Sequence, residues 1–416
     1  MQTCAAAGLS AGARAARGVT PGRVPASPAE RYARLDTAAA RPVIDLTGLD
    51  EPLIIDRIEL QRRGREIVCR VTTEDGRVGL SVGNGSQLRS VASAMTHRIV
   101  PFFDGQRRDA RQWERWVDEL YIARSNYKFQ GLALWIPLAT LEFAVLDLLG
   151  RARGVPIARL LGPVVNPTVA VYKANNHRGK TPEESLDLIR ANFERFPTEA
   201  IKFKVGGRMS ITEDPPDRSE RLIPMVRDTF GDDVTLYADS NGSYAVAEAV
   251  RIGRMLEAHG YGFFEEPVPF DHYPELVEVA DALAVPIAGG EQEPSSRNFR
   301  WMLGAGGLDV VQPDLFYFGG FVRSLRVARM AEALGRPCVP HISGWGLGYL
   351  YMLHFVAALP NAGPYHEFKG FNDGIPFVGD TPAVRLEGGR LTVPTAPGLG
   401  VEIEPDYLAE FAPLGA

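Results

Sequence analysis

The amino-acid sequence predicts an α/β protein, a modified (β/α)8-type TIM barrel with an α+β capping domain built from the N-terminal region and the C-terminal tail. Three observations support this fold class. From residue 168 onward, eight short apolar runs each end in a polar residue and precede a helical segment, as in a parallel sheet covered on both faces. Polar residues recur at the run ends, 26 positions apart from Asp239 to Glu265 and 27 from Asp314 to His341. Before residue 165, alternating apolar and polar residues indicate a small antiparallel meander instead.

Residues 1–40 differ in composition from the rest of the chain, because they are rich in Ala, Gly, Arg and Pro and offer little to bury. We expect a disordered tail there, or the remnant of an export signal. The stretch QTCAAAGLSAGARA is similar to the apolar and cleavage regions of a twin-arginine signal that lacks its Arg-Arg head because of a late start codon. A cytoplasmic location is the first expectation, and export by the twin-arginine route is the alternative.

The capping domain is expected over residues 41–165. Turn signals at Arg63-Gly64 and Asp75-Gly76 divide its first part into short antiparallel strands. Apolar residues at helical spacing then predict a buried amphipathic helix from Leu138 to Gly154, which ends in glycine.

The barrel is expected over residues 166–373, and a C-terminal segment, residues 374–416, is expected to return to the capping domain. The eight apolar runs are TVAVYKAN, AIKFKVGG, VTLYADSNG, YGFFEEPV, VPIAGGEQ, LDVVQPDL, PCVPHISG and AGPYHEFKG. In such a barrel, side chains at the carboxyl ends of the strands form the active site. Residues far apart in the chain are therefore expected to converge on one pocket.

The composition argues against several classes of partner. The 416 residues carry a formal net charge of -6 and no basic block, so nothing favours nucleic acid or an anionic membrane. The sequence contains no unbroken run of about 18 apolar residues, the length of a membrane span. Cys4, Cys69 and Cys338 are scattered without C-x-x-C spacing, which argues against a zinc module and a disulfide framework and suits a reducing compartment.

Three successive strand ends offer a carboxylate: Asp239 in YADSNG, Glu265 in FFEEPV and Glu291 in AGGEQE. A single strand-end acid is more often a helix cap or a solvated loop residue, but three in phase predict a shared metal site. Hard cations such as Mg²⁺ take oxygen ligands, and no Cys or His cluster indicates zinc. Asn241 and Glu266, next to these acids, are expected to orient them.

Basic groups are predicted on two sides of the carboxylates. Lys202 and Lys204 lie two residues apart on one strand and share a face, so their mutual repulsion is expected to lower a lysine pKa and supply an amine base. On the other side, Asp314 is expected to hold the tautomer of His341. Glu367 on the last strand is expected to donate to a developing oxyanion, which requires a raised pKa. Considered one at a time, these residues have simpler interpretations: the lysine pair lies on a solvent-exposed strand face, and His341 is a hydrogen-bonded histidine of the core.

The ordered motifs Lys-x-Lys, Asp-x-Asn, Glu-Glu-Pro, Gly-Gly-Glu, Gln-Pro-Asp, Pro-His and a late Glu resemble the mandelate racemase subgroup of the enolase superfamily. The resemblance extends from Pro42 to the C-terminus. It implies removal of the α-proton of a carboxylate substrate and stabilisation of an ene-diolate by Mg²⁺, as is general for these sites. The roles implied by resemblance are Mg²⁺ ligation by Asp239, Glu265 and Glu291, a base Lys204 with its electrostatic partner Lys202, a second acid or base from His341 with Asp314, and hydrogen bonding to the enolised carboxylate by Glu367.

The predicted site leaves the reaction open. Dehydration of a sugar acid to a 2-keto-3-deoxy acid is favoured by analogy, because that activity is the most frequent one in families of this kind. A racemase or epimerase, a sugar-lactone cycloisomerase and a sugar-acid binding protein are the alternatives, and homo-oligomers are common in such families. The short turn at Arg63-Gly64 differs from the long loop of other subgroup members and argues against a bulky aromatic substrate. Candidate substrate contacts are Asn84, Lys128, Tyr172 and Lys173.

Overall fold

The structure is a computed structural model that describes residues 27–209, 212–344, 346–369 and 385–414, with the backbone of Phe377–Val378. The expected tail or signal remnant lies outside this range for residues 1–26. The expected boundary at residue 40 needs correction, because helix α1 (Pro28–Ala39) begins well before it. Ser27 and Glu30 form a capping box at its start.

Helix α1 packs on the outside of the barrel. The carboxylate of Asp36 accepts from the Arg300 guanidinium at 2.6 and 2.7 Å, and that guanidinium also lies 4.3 Å from the ring centre of Tyr32. Leu35 is fully buried. The Ala- and Arg-rich composition did not predict this helix, because contacts with residues far away in the sequence stabilise it.

The capping domain contains the expected meander. Strands β1 (Ile55–Arg63), β2 (Glu66–Thr73) and β3 (Val78–Val82) are antiparallel and joined by the two predicted turns. The helical elements after β3 are α2 (Gly85–Ala94), a π-helical turn Met95–Ile99, α3 (Val100–Phe103), a 3₁₀ turn Ala110–Gln112, α4 (Trp113–Ile122), a 3₁₀ segment Ala123–Phe129, α5 (Leu132–Arg153) and α6 (Ile157–Leu161).

Helix α5 is the core helix of the capping domain. It begins earlier than the expected Leu138 and contains Pro137, because its buried apolar surface outweighs the hydrogen bond that a proline removes. Gly154 ends it in the left-handed conformation at φ 74°. The helix is long and apolar enough to cross a membrane, but 89% of its most apolar window is buried inside the protein, as in a core helix.

All eight predicted apolar runs contribute to the barrel. The parallel strands are β4 (Thr168–Asn175), β5 (Ala200–Lys204), β6 (Thr235–Asp239), β7 (Phe263–Glu265), β8 (Ile287–Gly289), β9 (Val310–Val311) and β10 (His366–Phe368). The seventh run contributes single parallel bridges, from Cys338 to Val311 and Ala362, and β10 closes the ring on β4. The predicted modified barrel is confirmed. Its helices are α7 (Pro182–Arg195), α8 (Arg218–Phe230), α9 (Val246–Ala258), α10 (Tyr273–Ala282), α11 (Ser296–Ala305), α12 (Phe321–Ala333) and α13 (Gly348–Ala357).

The centre of the barrel is filled by side chains. Tyr172, Tyr237 and Phe263 point inward, and the last two rings stack with centroids 3.8 Å apart. Smaller residues from the following strands, such as Ala288, complete this layer. Because the middle is packed, a ligand can enter only from the rim, where the polar residues lie.

The C-terminal segment joins both parts of the molecule. Its elements are β11 (Phe377–Val378), β12 (Arg390–Thr392), β13 (Glu402–Ile403), α14 (Pro405–Leu408) and β14 (Ala412–Pro413). Strand β14 pairs with β1 of the capping domain, whereas β12 first adds an antiparallel strand to β4 of the barrel. The sequence predicted the contact of this segment with the capping domain but not its contact with the barrel, because the sequence of a short strand does not indicate its pairing partner.

Candidate active site

The strand register brings the predicted polar residues to one rim of the barrel. Lys204 is paired with Asp239 on the next strand, and Asp239 is paired in turn with Glu265. A parallel bridge joins Asp314 to His341 on the other side of the ring. All five residues therefore lie at the carboxyl ends of their strands, on one rim of the barrel.

Three carboxylates converge at the centre of this rim. Asp239, Glu265 and Glu291 are buried, and each offers an oxygen within 4.8 Å of the others. Burial opposes ionisation of Asp239, but the ammonium groups of Lys204 and Lys202 outweigh it and hold its pKa below the usual range. Burial and the nearby Asp239 carboxylate raise the pKa of Glu265 to about 7. Crowded buried carboxylates of this kind fit a hard divalent cation, whose charge would favour their ionised forms.

Each lysine of the pair has its own carboxylate. Lys204 Nζ contacts Asp239 Oδ2, and Lys202 Nζ lies 2.8 and 3.0 Å from the two oxygens of Glu265. Burial acts to lower the pKa of Lys202, but Glu265, Glu367 and other acidic neighbours outweigh it and raise this pKa well above its usual value. The expected pKa lowering by lysine repulsion is therefore wrong for Lys202, because attraction to the carboxylates exceeds repulsion between the ammonium groups.

His341 and Asp314 form a hydrogen-bonded pair on the opposite side. His341 Nδ1 lies 2.6 Å from Asp314 Oδ2, while Nε2 points inward, 3.3 Å from Glu291 Oε2 and 3.5 Å from Glu367 Oε2. Burial acts to lower the pKa of His341, but these acidic neighbours raise it above its ordinary value. Nε2 of the imidazole therefore faces the central carboxylates, while Nδ1 is held by Asp314.

Glu367 lacks the raised pKa that its expected donor role requires. Burial alone would raise its pKa, but Lys369, His341 and Lys202 hold that pKa well below the usual range. Lys369 Nζ lies 3.3 Å from Glu367 Oε2 and donates to Ile342 O at 2.7 Å. Lys369 was not predicted as a site residue, although its spacing of two residues from Glu367 puts it on the same strand face.

Asn241 and Glu266 are linked behind the carboxylates. Asn241 Nδ2 donates to Glu266 Oε2 at 3.3 Å, and both residues have positive φ, 46° and 45°. The guanidinium of Arg178, another residue that the sequence analysis missed, donates to Asn241 Oδ1 at 3.1 Å. Burial and the neighbouring acids raise the pKa of Glu266 well above its usual value. A left-handed backbone conformation is unfavourable for residues other than glycine. Its presence at both Asn241 and Glu266, just after two adjacent strands, indicates that the surrounding structure constrains the backbone at this rim.

The four candidate substrate contacts have different positions. Tyr172 is in the barrel centre, with its ring 5.2 Å below Lys202 Nζ. Lys173 Nζ donates to Lys369 O at 3.1 Å, and burial lowers the pKa of Lys173 to about 8. Lys128 is exposed, and no hydrogen bond or ion pair within the described chain joins it to the barrel. Of the four, Asn84 reaches the histidine side, where its Nδ2 donates to Ser343 Oγ at 2.8 Å.

The fold and site define a two-domain barrel protein with a buried carboxylate triad between a lysine pair and a histidine–aspartate pair. The family model described as Enolase C-terminal domain-like matches residues 186–407. The chain belongs to this family, and it is placed in the mandelate racemase subgroup of the enolase superfamily by its relatives and structural neighbours.

Named relatives and solved structures align along most of the chain. It is 30% identical over 378 residues to D-galactarolactone cycloisomerase of Agrobacterium fabrum, covering 87% of this chain and 95% of the relative. It is 28% identical over 346 residues to arabinonate dehydratase of Saccharolobus solfataricus, covering 83% and 90%. A mandelate racemase/muconate lactonizing protein from Paracoccus denitrificans, solved in complex with magnesium, superimposes with a TM-score of 0.78 at 26% identity, covering 87% and 99%.

Proposed function

We propose that this protein is a hydro-lyase that dehydrates a sugar acid to a 2-keto-3-deoxy acid. The observation that carries the proposal is the presence of a proton-transfer group on each side of the carboxylate triad, Lys204 on one and His341 with Asp314 on the other. Dehydration needs both, because a proton leaves the α-carbon and another must reach the departing β-hydroxyl. The names of several relatives, among them arabinonate and D-galactonate dehydratases, support this choice.

We propose Asp239, Glu265 and Glu291 as the ligands of Mg²⁺. Their converging oxygens are the donor type that this cation prefers, and a related structure was solved with magnesium. When bound, Mg²⁺ would supply positive charge that stabilises negative charge developing on the substrate carboxylate. Lys202 adds a fixed ammonium on the same side of the site.

Lys204 is the base in this proposal. Its side chain is 11% exposed, whereas that of Lys202 is 2% exposed and held by both oxygens of Glu265. The more open lysine can approach a substrate carbon, and the enclosed one acts as a constant charge. The neutral amine of Lys204 takes the proton from the α-carbon as the C–H bond breaks.

His341 is the acid. The contact with Asp314 orients its ring and leaves Nε2 directed into the site. Nε2–H gives its proton to the β-hydroxyl, the C–O bond breaks and water leaves. The electron pair of the α-C–H bond becomes the new C=C bond, and the resulting enol tautomerises to the 2-keto-3-deoxy acid.

Cycloisomerisation of a sugar lactone is the second candidate. The 30% identical relative with that name covers most of this chain, and the same pair of groups can move a proton between carbons without releasing water. Racemisation would likewise return a proton from the opposite side. These alternatives differ from dehydration in their products.

A screen of mono- and diacid sugars with Mg²⁺ tests the proposal. Formation of 2-keto acid and uptake of deuterium at the α-carbon in D₂O are measured together. Keto acid from one or a few substrates supports dehydration. Exchange or isomerisation without keto acid would replace it with the second candidate, and Mg²⁺-independent binding with neither reaction would favour a sugar-acid binding protein.

A further inference from the structure

A capping-domain side chain reaches the histidine pair through one hydroxyl group. Asn84 lies at the start of α2 and is 4% exposed, and its Nδ2 donates to Ser343 Oγ at 2.8 Å. Ser343 Oγ donates to Asp314 Oδ1 at 3.0 Å, and Asp314 Oδ2 holds His341 Nδ1 at 2.6 Å. A continuous chain of hydrogen bonds therefore runs from the capping domain to His341.

Hydrogen-bond chemistry fixes the direction of this chain. The side chain of Asn84 caps α2, because its Oδ1 accepts from Gln87 N at 3.4 Å. That leaves the amide group, which can only donate, facing Ser343. A hydroxyl has a single proton, so when Ser343 Oγ accepts from Asn84 it keeps its own proton for Asp314.

The two carboxylate oxygens of Asp314 have different partners. Oδ1 accepts from Phe316 N at 2.8 Å, from Tyr317 N at 2.7 Å and from Ser343 Oγ. Oδ2 faces His341. The two backbone donors belong to the barrel loop itself, whereas the third is Ser343, whose side chain contacts Asn84 of the capping domain as well as the Tyr317 side chain.

We propose that Asn84 is a positioning residue for the His341–Asp314 pair, acting through the Ser343 hydroxyl. The inference rests on the proposed function for its catalytic consequence. Asn84 affects the step that uses His341, which is departure of the β-hydroxyl. It leaves α-proton removal by Lys204 nearly unchanged, because the lysine side has no part in this hydrogen-bond chain.

The test separates this role from helix capping. Asn84→Ser retains an N-cap residue but is too short to reach Ser343. Ser343→Ala removes the same chain from the other end, and Ser343→Thr keeps the hydroxyl. We expect Asn84→Ser and Ser343→Ala each to slow keto acid formation about tenfold. Deuterium exchange at the α-carbon should change less than about twofold, since Lys204 is untouched.

Two further results decide the inference. The double variant should be no slower than Ser343→Ala alone, because both changes break one chain. Ser343→Thr should restore most of the rate. Equal loss of exchange and keto acid formation, or additive single effects, would overturn the inference.

A proton NMR measurement is independent of the substrate. The His341 Nδ1 proton, held by Asp314, should give a low-field signal that is absent in His341→Gln. In Asn84→Ser we expect this signal to move upfield or broaden by faster exchange with water. An unchanged signal would contradict the inference. If the wild type dehydrates no sugar acid, the proposed function fails, and this signal still decides whether Asn84 positions the pair.

Discussion

The two sides of the candidate site are built in different ways. On the lysine side, Lys202 and Lys204 lie within one strand; register pairs Lys204 with Asp239, and the Lys202 ammonium reaches Glu265. On the histidine side, His341 comes from a barrel position that forms only single bridges. Its geometry depends on a loop and on a side chain of the capping domain.

This difference separates a fixed side from an adjustable one. Strand pairing in the barrel sheet fixes the backbone positions of the four residues that carry these carboxylate and ammonium groups. The histidine pair can be realigned by changes at the domain contact, where the loop bonds to Asn84. Changes at this contact are therefore expected to alter proton transfer by His341 more than α-proton removal by Lys204.

Lys204→Ala should have the largest effect. We expect both α-carbon exchange and product formation to fall about 100- to 10,000-fold, the usual contribution of a general base. Mg²⁺ binding by calorimetry should remain, because the three carboxylates are intact. Lys128→Ala, at an exposed lysine, is the matched control and should behave as wild type. A Lys204→Ala variant of normal activity would remove the base from the lysine side.

His341→Gln should separate the two sides. Loss of the acid should slow keto acid formation about 100-fold or more. Exchange at the α-carbon should persist, because Lys204 still removes and returns the proton. His97→Gln, at an exposed histidine, is the control. If exchange and product formation fall in parallel in His341→Gln, the assignment of one step to each side is incorrect.

Glu265→Gln tests the centre that both sides share. Removing one carboxylate charge should weaken Mg²⁺ binding about tenfold, because ligand charge sets the affinity of oxygen sites. At limiting Mg²⁺, exchange and product formation should decrease together, unlike the result at His341. Glu278→Gln, at an exposed acid, provides the control titration. An unchanged Mg²⁺ titration would exclude Glu265 from the ligand set.

Local pattern was sufficient to predict one part of the molecule. The repeat of apolar runs and the two-residue alternation of strands predicted the barrel and the shared rim of Asp239, Glu265 and Glu291. Their register needs no knowledge of distant contacts, because adjacent strands are consecutive in the chain. The expected roles of these residues as metal ligands stay predictions.

Other features depend on distances that a sequence pattern does not contain. The pKa of Lys202 depends on whether its ammonium lies closer to a lysine or to a carboxylate, a difference of a few ångströms. The lowering of the Glu367 pKa by Lys369 depends on a similarly short distance. The contact between Asn84 and Ser343 joins residues 259 positions apart. Helix α1 was missed because its composition resembled a tail and its stabilising partners lie in the barrel.

Glu142→Gln tests a second contact between the capping domain and the barrel, with the smallest expected effect. Glu142, in α5, accepts from Trp113 Nε1 at 2.8 Å and from Val322 N, at the start of α12, at 3.0 Å. Burial raises its pKa from 4.5 to about 7. The folded state therefore binds this proton more tightly than the unfolded state. Its stabilising contribution is complete below pH 4.5 and is lost as pH rises through about 7.

Urea unfolding across this range measures the effect. The free energy of unfolding of the wild type should decrease by up to about 3 kcal/mol relative to Glu142→Gln between pH 4.5 and 7, since each pKa unit corresponds to about 1.4 kcal/mol. Glu278→Gln should follow the wild type. Equal slopes for wild type and Glu142→Gln would show that Glu142 keeps an ordinary pKa. If the capping domain acts mainly on the histidine side, Glu142→Gln should also slow keto acid formation more than exchange, because α12 comes directly after the loop that carries Asp314.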